Sequence, residues 1–296
     1  MLAIKGCSSL LAIGKSRKEF CTTMTICVLF LFSLFLLFSV TGCRPLVNAF
    51  AFHPNSRGII AASELPAGVG EMEVLTEDGV RLTSLYLPSS KSKKLVIYFH
   101  GNAGSVYDRL SDLQRLNDVG VSVVGVSYRG YGKSEGRPSE RGLYRDGRAV
   151  LNHAVEHLGF KKEDIILFGR SIGTTVAVNT AQDELLDGLV LVSPLTRGQE
   201  VFEKGVFRLL APLAGRAFDN VSKMKRIRSR LLVVHGTDDG LIPLWMGKKI
   251  FESAQVEKQL VKIEGAGHND LSSFEAAYWG AVLGFVLKQQ QGQPTF

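Results

Sequence analysis

Residues 164–181 restrict the fold more than any other stretch of this chain. Asp164-Ile165-Ile166-Leu167-Phe168 is a short apolar run without alternation, the pattern of a strand buried on both faces of a parallel sheet. Gly169-Arg170-Ser171-Ile172-Gly173 follows. It matches G-x-S-x-G, the turn that presents a serine nucleophile between a strand and a helix. Thr174 to Ala181 then run without Gly or Pro. They are rich in β-branched residues for a helix, but buried packing overrides propensity. Such a turn crowds the backbone around the serine, and glycines two residues either side relieve the crowding because they lack a Cβ. The pattern names a reaction class, attack by serine on an acyl group. It occurs a second time, as Gly132-Lys133-Ser134-Glu135-Gly136. There Tyr128-Arg129-Gly130-Tyr131 precedes it and Gly136-Arg137-Pro138 would break a following helix. The second match is therefore expected to be a surface loop.

The remaining periodicity fits the same architecture. Met72–Leu75 and Arg81–Leu87 flank Glu77-Asp78-Gly79, a hairpin signal that predicts an antiparallel pair at one edge. Apolar strands are expected at Leu95–Phe99, Val121–Val126, Leu189–Val192, Leu231–Val234 and Gln259–Ile263. Helices are expected at Val106–Asn117, from an N-cap at Ser139 through His157, at Met246–Ala254 and at Leu271–Leu287. Alternating strands and helices imply an α/β fold, a mostly parallel, doubly wound sheet with helices on both faces. The domain should occupy residues 71–288, followed by a Gln-rich tail at 289–296. Residues 195–230 interrupt the alternation with Val201, Phe202, Val206, Phe207, Leu209, Leu210 and Leu213. They read either as a small cap over the site or as a connecting helix packed on the sheet.

Residues 1–43 differ from the rest. Lys5, Lys15, Arg17 and Lys18 form a basic stretch, and no charge occurs from Phe20 to Cys43. The small residues of Val40-Thr41-Gly42 before Cys43 resemble the lipobox of bacterial lipoproteins, with Cys43 the lipidation site. The rival reading is an uncleaved signal anchor, since a run of this length can span a bilayer. Both keep the basic end inside and export the domain, leaving residues 44–70 as a tether. All four cysteines lie in this leader, so the domain is expected to have no disulfide, thiol nucleophile or thiolate metal site. The four basic residues and Glu19 account for +3 of the net +7, leaving about +4 on the rest. That balance does not argue for nucleic acid. The basic run Lys223–Arg230 reads as a solvated face.

A serine hydroxyl needs a base, usually a histidine oriented by a carboxylate. On a fold of this kind the triad runs Ser, acid, His along the chain. Of six histidines only His235 and His268 follow Ser171. His235 precedes its own candidate acids, which leaves His268 in the Gly-rich loop between the last strand and last helix. Just beyond the strand at Leu231–Val234, Asp238 and Asp239 both qualify as the acid. Oxyanion donors are expected from the backbone N–H of Ile172 and from the loop after Leu95–Phe99.

Five motifs carry a family resemblance over residues 71–287: His100-Gly101-Asn102-Ala103-Gly104, Tyr128–Ser134, Gly169–Gly173, His235-Gly236-Thr237-Asp238-Asp239 and Gly267-His268. With these the chain resembles the α/β-hydrolase superfamily, most closely its Bem46-like branch. The resemblance implies an α/β-hydrolase fold, Asp239 as the acid, Asn102 rather than Ala103 as the second oxyanion donor, and a structural role for Tyr128–Ser134. It implies a serine hydrolase acting on carboxylic esters, with no metal and no organic cofactor. Family members include lipases and protein deacylases, so a small-molecule or lipid acyl substrate at a membrane is expected. Thioesterase, protein-deacylase or peptidase action on the same triad, or a non-catalytic tethered binding protein, are the alternatives. Arg170 suits either an anionic head group or a packing or pairing role.

Overall fold

The computed structural model describes residues 59–202 and 215–288, residues 51–54, and a few positions before them. Cys43, most of the uncharged leader and the tail lie outside the described residues. Among the described residues no helix is long and apolar enough to cross a membrane.

The strands are β1 (His53–Pro54), β2 (Gly70–Leu75), β3 (Arg81–Leu87), β4 (Leu95–Phe99), β5 (Ala103–Gly104), β6 (Ser122–Val126), β7 (Ile165–Arg170), β8 (Gly188–Val192), β9 (Arg230–Gly236) and β10 (Lys258–Ile263). The helices are α1 (Leu110–Asp118), α2 (Glu140–Glu156), α3 (Gly173–Ala181), α4 (Gly198–Phe202), α5 (Asn220–Met224), α6 (Leu244–Ser253) and α7 (Glu275–Leu287). Eight strands form one sheet in the order β10-β9-β8-β7-β4-β6-β3-β2. The β2–β3 and β3–β6 pairs are antiparallel and the others parallel. The predicted hairpin does form one edge, and β10 forms the other.

Alternation within each strand divides the core in two, because successive side chains leave opposite faces. Leu95, Ile97 and Phe99 of β4 pack with Leu143 and Val150 of α2, Val176 of α3, and Met246 and Ile250 of α6. Val96 and Tyr98 of the same strand pack with Leu113 and Leu116 of α1 and with Tyr278, Trp279 and Val282 of α7. Burial on both faces explains why these strands read as unbroken apolar runs. Thr174, Thr175, Val176 and Val178 of α3 are all fully buried, so packing sustains a helix that propensity alone disfavours.

Two helices begin later than predicted. Tyr107–Arg109 and Leu271–Ser273 are short 3-10 turns that lead into α1 and α7. The predicted N-cap of α2 is present, with Ser139 Oγ accepting from Gly142 N at 3.1 Å. In the 195–230 insertion the structure describes two arms, α4 and α5. Backbone bonds Gly198 N to Ala217 O and Asn220 N to Thr196 O, both 2.9 Å, pin them together. Residues 203–214, which carry most of the apolar side chains of the cap reading, lie outside the described residues.

The strand order reverses at β4 and β7. From β4 the chain passes to β6 on one side, then returns across β4 to β7 on the other. Loops leaving the carboxyl ends of β4 and β7 therefore diverge, opening the crevice where open α/β sheets bind ligands. Phe99 pairs with Gly169 at that point, so residues 100–104 and 170–173 emerge side by side.

Candidate active site

Ser171 follows β7 with φ 54°, a left-handed angle that costs a side-chain-bearing residue energy. The surrounding contacts show why both flanking positions are glycine. A Cβ on Gly169 would sit 2.7 Å from Gly173 O, and one on Gly173 would sit 2.1 Å from Phe99 O. Ser171 N donates to Val192 O of β8 at 2.9 Å, which holds the turn against the sheet.

His268 and Asp239 meet this serine from two other strand ends. His268, after β10, has Nε2 3.0 Å from Ser171 Oγ and Nδ1 2.8 Å from Asp239 Oδ2. Asp239, after β9, turns its other oxygen to the backbone, where Oδ1 accepts from Leu241 N at 3.0 Å and Ile242 N at 2.8 Å. Burial would raise the Asp239 carboxyl, but hydrogen bonds from His235, His268 and Ile242 N hold it well below the usual carboxylate range. An ionised carboxylate only accepts, so His268 Nδ1 carries the proton. The Nε2 lone pair is then free to take the proton of the Ser171 hydroxyl.

Asp238 is exposed, and the carboxylate that hydrogen-bonds His268 is that of Asp239. Its backbone N donates to Ala266 O at 3.0 Å, tying the loops after β9 and β10 together. His235 is fully buried; its Nε2 donates to Ile242 O at 2.7 Å and lies 3.5 Å from Asp239 Oδ2. It steadies the turn that carries the acid and has no contact with Ser171.

Asn102 and Ile172 flank the serine from the two diverging loops. A Cβ on Gly101 would lie 3.6 Å from Ser171 Cβ, so the loop after β4 passes close over the serine. Among the described residues neither the Asn102 N–H nor the Ile172 N–H makes a hydrogen bond. His100 Nδ1 donates to Gly101 O at 2.7 Å, and Tyr128 and Tyr131 hydroxyls donate to the carbonyls of His100 (2.9 Å) and Asn102 (2.7 Å). Burial pushes His100 down to about 4, so its ring is neutral at pH 7.

The Tyr128–Ser134 motif supplies more than these two hydroxyls. Arg129 Nε and N both reach the buried Asp146 of α2, at 2.8 and 2.9 Å, while its guanidinium grips Asp78 of the hairpin turn at 2.8 and 2.9 Å. Burial pushes the Asp146 carboxyl up to about 6 despite its arginine. The Gly132–Gly136 match is a loop, as expected, with Lys133, Glu135 and Gly136 exposed, but Ser134 itself departs from that reading. Its side chain is buried, accepting from Thr83 N and donating to Ser127 O, both at 2.9 Å. Thr83 N belongs to β3, 51 residues away, and leaves no signal in the local motif, whereas Ser127 O lies just ahead of that motif.

The basic run 223–230 is likewise not a uniformly solvated face. Lys223 Nζ lies 3.9 Å from the Tyr144 ring centroid, and Arg230 is buried against Asp187 at 2.9 Å and the Phe285 ring. Arg170 Nη2 reaches the carbonyls of His268 (3.4 Å) and Asn269 (3.5 Å), bracing the histidine loop. Cys43 lies outside the described residues. Among the described residues no group of three or more His, Cys, Asp or Glu is arranged to hold a metal ion.

The family model described as "Serine aminopeptidase, S33" matches residues 90–225. Alpha/beta hydrolase domain-containing protein aho-3 of Caenorhabditis elegans is 36% identical over 200 residues, covering 67% of this chain and 59% of that protein's length. Alpha/beta hydrolase domain-containing protein 17B of Homo sapiens is 32% identical over 201 residues, covering 67% of this chain and 69% of its own. Among solved structures, esterase Pf2001 of Pyrococcus furiosus superposes with a TM-score of 0.65 at 20% identity, covering 79% of this chain and 98% of that one. That likeness is one of fold. By its strand order, the crevice between β4 and β7 and these relatives, the chain belongs to the α/β-hydrolase superfamily.

Proposed function

We propose that the chain is a serine hydrolase that cleaves carboxylic esters through Ser171, His268 and Asp239 and a covalent acyl-enzyme. The observation that carries this reading is the continuous chain from Ser171 Oγ to His268 Nε2 at 3.0 Å and from His268 Nδ1 to Asp239 Oδ2 at 2.8 Å. His268 takes the Ser171 proton as Oγ bonds to the ester carbonyl carbon. The carbonyl electron pair moves to oxygen, where the N–H groups of Asn102 and Ile172 stabilise it. One such donor contributes about 10²–10³ in rate. Collapse expels the alcohol, which leaves with the proton from His268. Water then attacks the acyl carbon, its proton passing through His268 to the departing Ser171 Oγ. Asp239 keeps the imidazole in the tautomer that this cycle needs.

Two exposed apolar side chains near Asp239 in sequence support an apolar acyl chain. Leu241 and Trp245, on the turn and helix after Asp239, are 54% and 45% exposed. The uncharged run from Phe20 to Cys43 supports a domain exported and held at a membrane. Val40-Thr41-Gly42 before Cys43 supports lipidation there, as in a bacterial lipoprotein, and the five motifs support a Bem46-like branch. A membrane-held domain meets lipid esters and acylated proteins, so thioester and protein deacylation are the second reading of the same site.

A series of p-nitrophenyl esters, matched thioesters and matched anilides, with wild type and Ser171→Ala, tests the reading. Hydrolysis of esters that disappears in the variant is expected, and faster turnover of thioesters would favour the second reading. Undiminished ester hydrolysis by Ser171→Ala would refute both. Incorporation of a tagged fatty acid should vanish in Cys43→Ser, and labelling that survives would count against lipidation at that residue.

A further inference from the structure

The segment that leads into the domain reaches the oxyanion loop. His53 and Pro54 (β1) pair in parallel with Ala103 and Gly104 (β5), the residues immediately after Asn102. His53 N donates to Asn102 O at 3.1 Å. Tyr131 Oη donates to the same carbonyl at 2.7 Å, so both lone pairs of this oxygen are engaged. Phe52, only 5% exposed, anchors the segment. Its ring packs edge-on against Phe218 of the 195–230 insertion, with centroids 6.0 Å apart. Phe52 N closes on Asn48 O at 3.1 Å. The segment therefore touches both the loop over Ser171 and the insertion beyond it. A connector serving only as a spacer needs no buried aromatic and no strand pairing.

We infer that Phe52 and the backbone N–H of His53 are positioning elements of the active site, docking the N-terminal segment on the oxyanion loop so that Asn102 is held over Ser171. This rests on the serine-hydrolase reading above. The physical argument concerns precision. The Asn102 N–H is useful only within a few tenths of an ångström of the developing oxyanion, and small displacements of positioned groups cost large factors in rate. Tyr131 constrains the Asn102 carbonyl from one direction and β1 constrains it from a second. Loss of β1 would leave the loop one point of attachment fewer, while the Ser171–His268–Asp239 chain, on other strand ends, stays intact.

The test uses full-length protein in detergent, comparing wild type with His53→Pro, His53→Ala and Phe52→Ala. Proline removes the N–H, which serves the Asn102 carbonyl and also the Tyr131 hydroxyl, while leaving both of those side chains in place. With p-nitrophenyl butyrate, His53→Pro and Phe52→Ala should each lower kcat about tenfold, with KM within about twofold. Labelling of Ser171 by a fluorophosphonate should slow in parallel, since its phosphoryl oxygen uses the same donors. His53→Ala keeps the N–H and should recover the wild-type kcat. Thermal midpoints check that the variants are folded, and a purely structural role would move them without separating kcat from KM. Unchanged kcat in His53→Pro, with wild type active and labelled, would overturn the inference and leave the hydrolase reading standing. A wild type that neither hydrolyses the ester nor reacts with the probe would overturn that reading, and this inference with it.

Discussion

His100 Nδ1 and the carbonyl oxygen of Gly101 lie 2.7 Å apart, and this contact orients the peptide that carries the Asn102 N–H. A carbonyl only accepts, so the ring donates from Nδ1. The Gly101–Asn102 peptide is planar and, like every described peptide, not cis. Its N–H therefore points opposite to its C=O, away from the imidazole. His100→Phe keeps an aromatic ring against Tyr128 and Tyr131 but deletes the donor. A fall in kcat of about tenfold, with little change in KM, is expected from steady-state ester hydrolysis.

The same residue governs acid stability. His100 is pushed down to about 4 in the fold, against about 6.5 unfolded. Between those values the unfolded chain binds the extra proton and the native state does not. The stability contribution is complete above about pH 6.5 and falls as pH drops towards 4, by about 3 kcal/mol at most. Asp146, raised to about 6, acts in the opposite sense over part of that window. Urea midpoints at pH 7, 5.5 and 4.5 for wild type and His100→Phe isolate the histidine. The variant should show the shallower acid loss.

The two candidate acids separate by substitution. Asp239→Asn leaves the imidazole without a carboxylate to fix its tautomer, and kcat should fall by about 10³–10⁴. Asp238→Asn should stay within about twofold, because the contact that matters there is its backbone N–H. Equal losses in both variants would show that the acid is misassigned.

How much of this was legible in the sequence depends on the range of the contacts involved. The sheet could be read because its central strands are buried on both faces and so lack polar interruptions. Ser171 could be told from Ser134 because the strand, turn and helix around it are local. Asp238 and Asp239 could not be separated from the residues alone. The difference arises when Asp239 turns inward to accept the Leu241 and Ile242 N–H groups, and family pattern supplied the choice. The burial of Ser134, the Arg129 strut and the docking of β1 on β5 all join backbone or side chains distant in sequence. Nothing in a local window encodes them.

The two G-x-S-x-G serines should respond oppositely to alanine. Ser134→Ala leaves the buried Thr83 N–H without its acceptor, costing about 1–3 kcal/mol, yet the protein should keep its esterase activity. Ser171→Ala removes no comparable backbone bond and should fold as wild type while losing activity. Denaturant midpoints and ester hydrolysis on the same preparations give both readouts.

Arg129→Met should destabilise by about 3–5 kcal/mol, because Asp146 would remain buried without its cation. The orphaned carboxyl can escape by taking a proton. The deficit should therefore be smaller at pH 5 than at pH 8 in parallel urea titrations.

The central claim is that Ser171 is the nucleophile. It is tested most directly by treating the protein with a fluorophosphonate, digesting it and mapping the adduct by mass spectrometry. A single adduct on Ser171, abolished by His268→Ala and absent from Ser171→Ala, is the predicted result. An adduct on Ser134 or elsewhere, or ester hydrolysis that survives without modification of Ser171, would contradict the account.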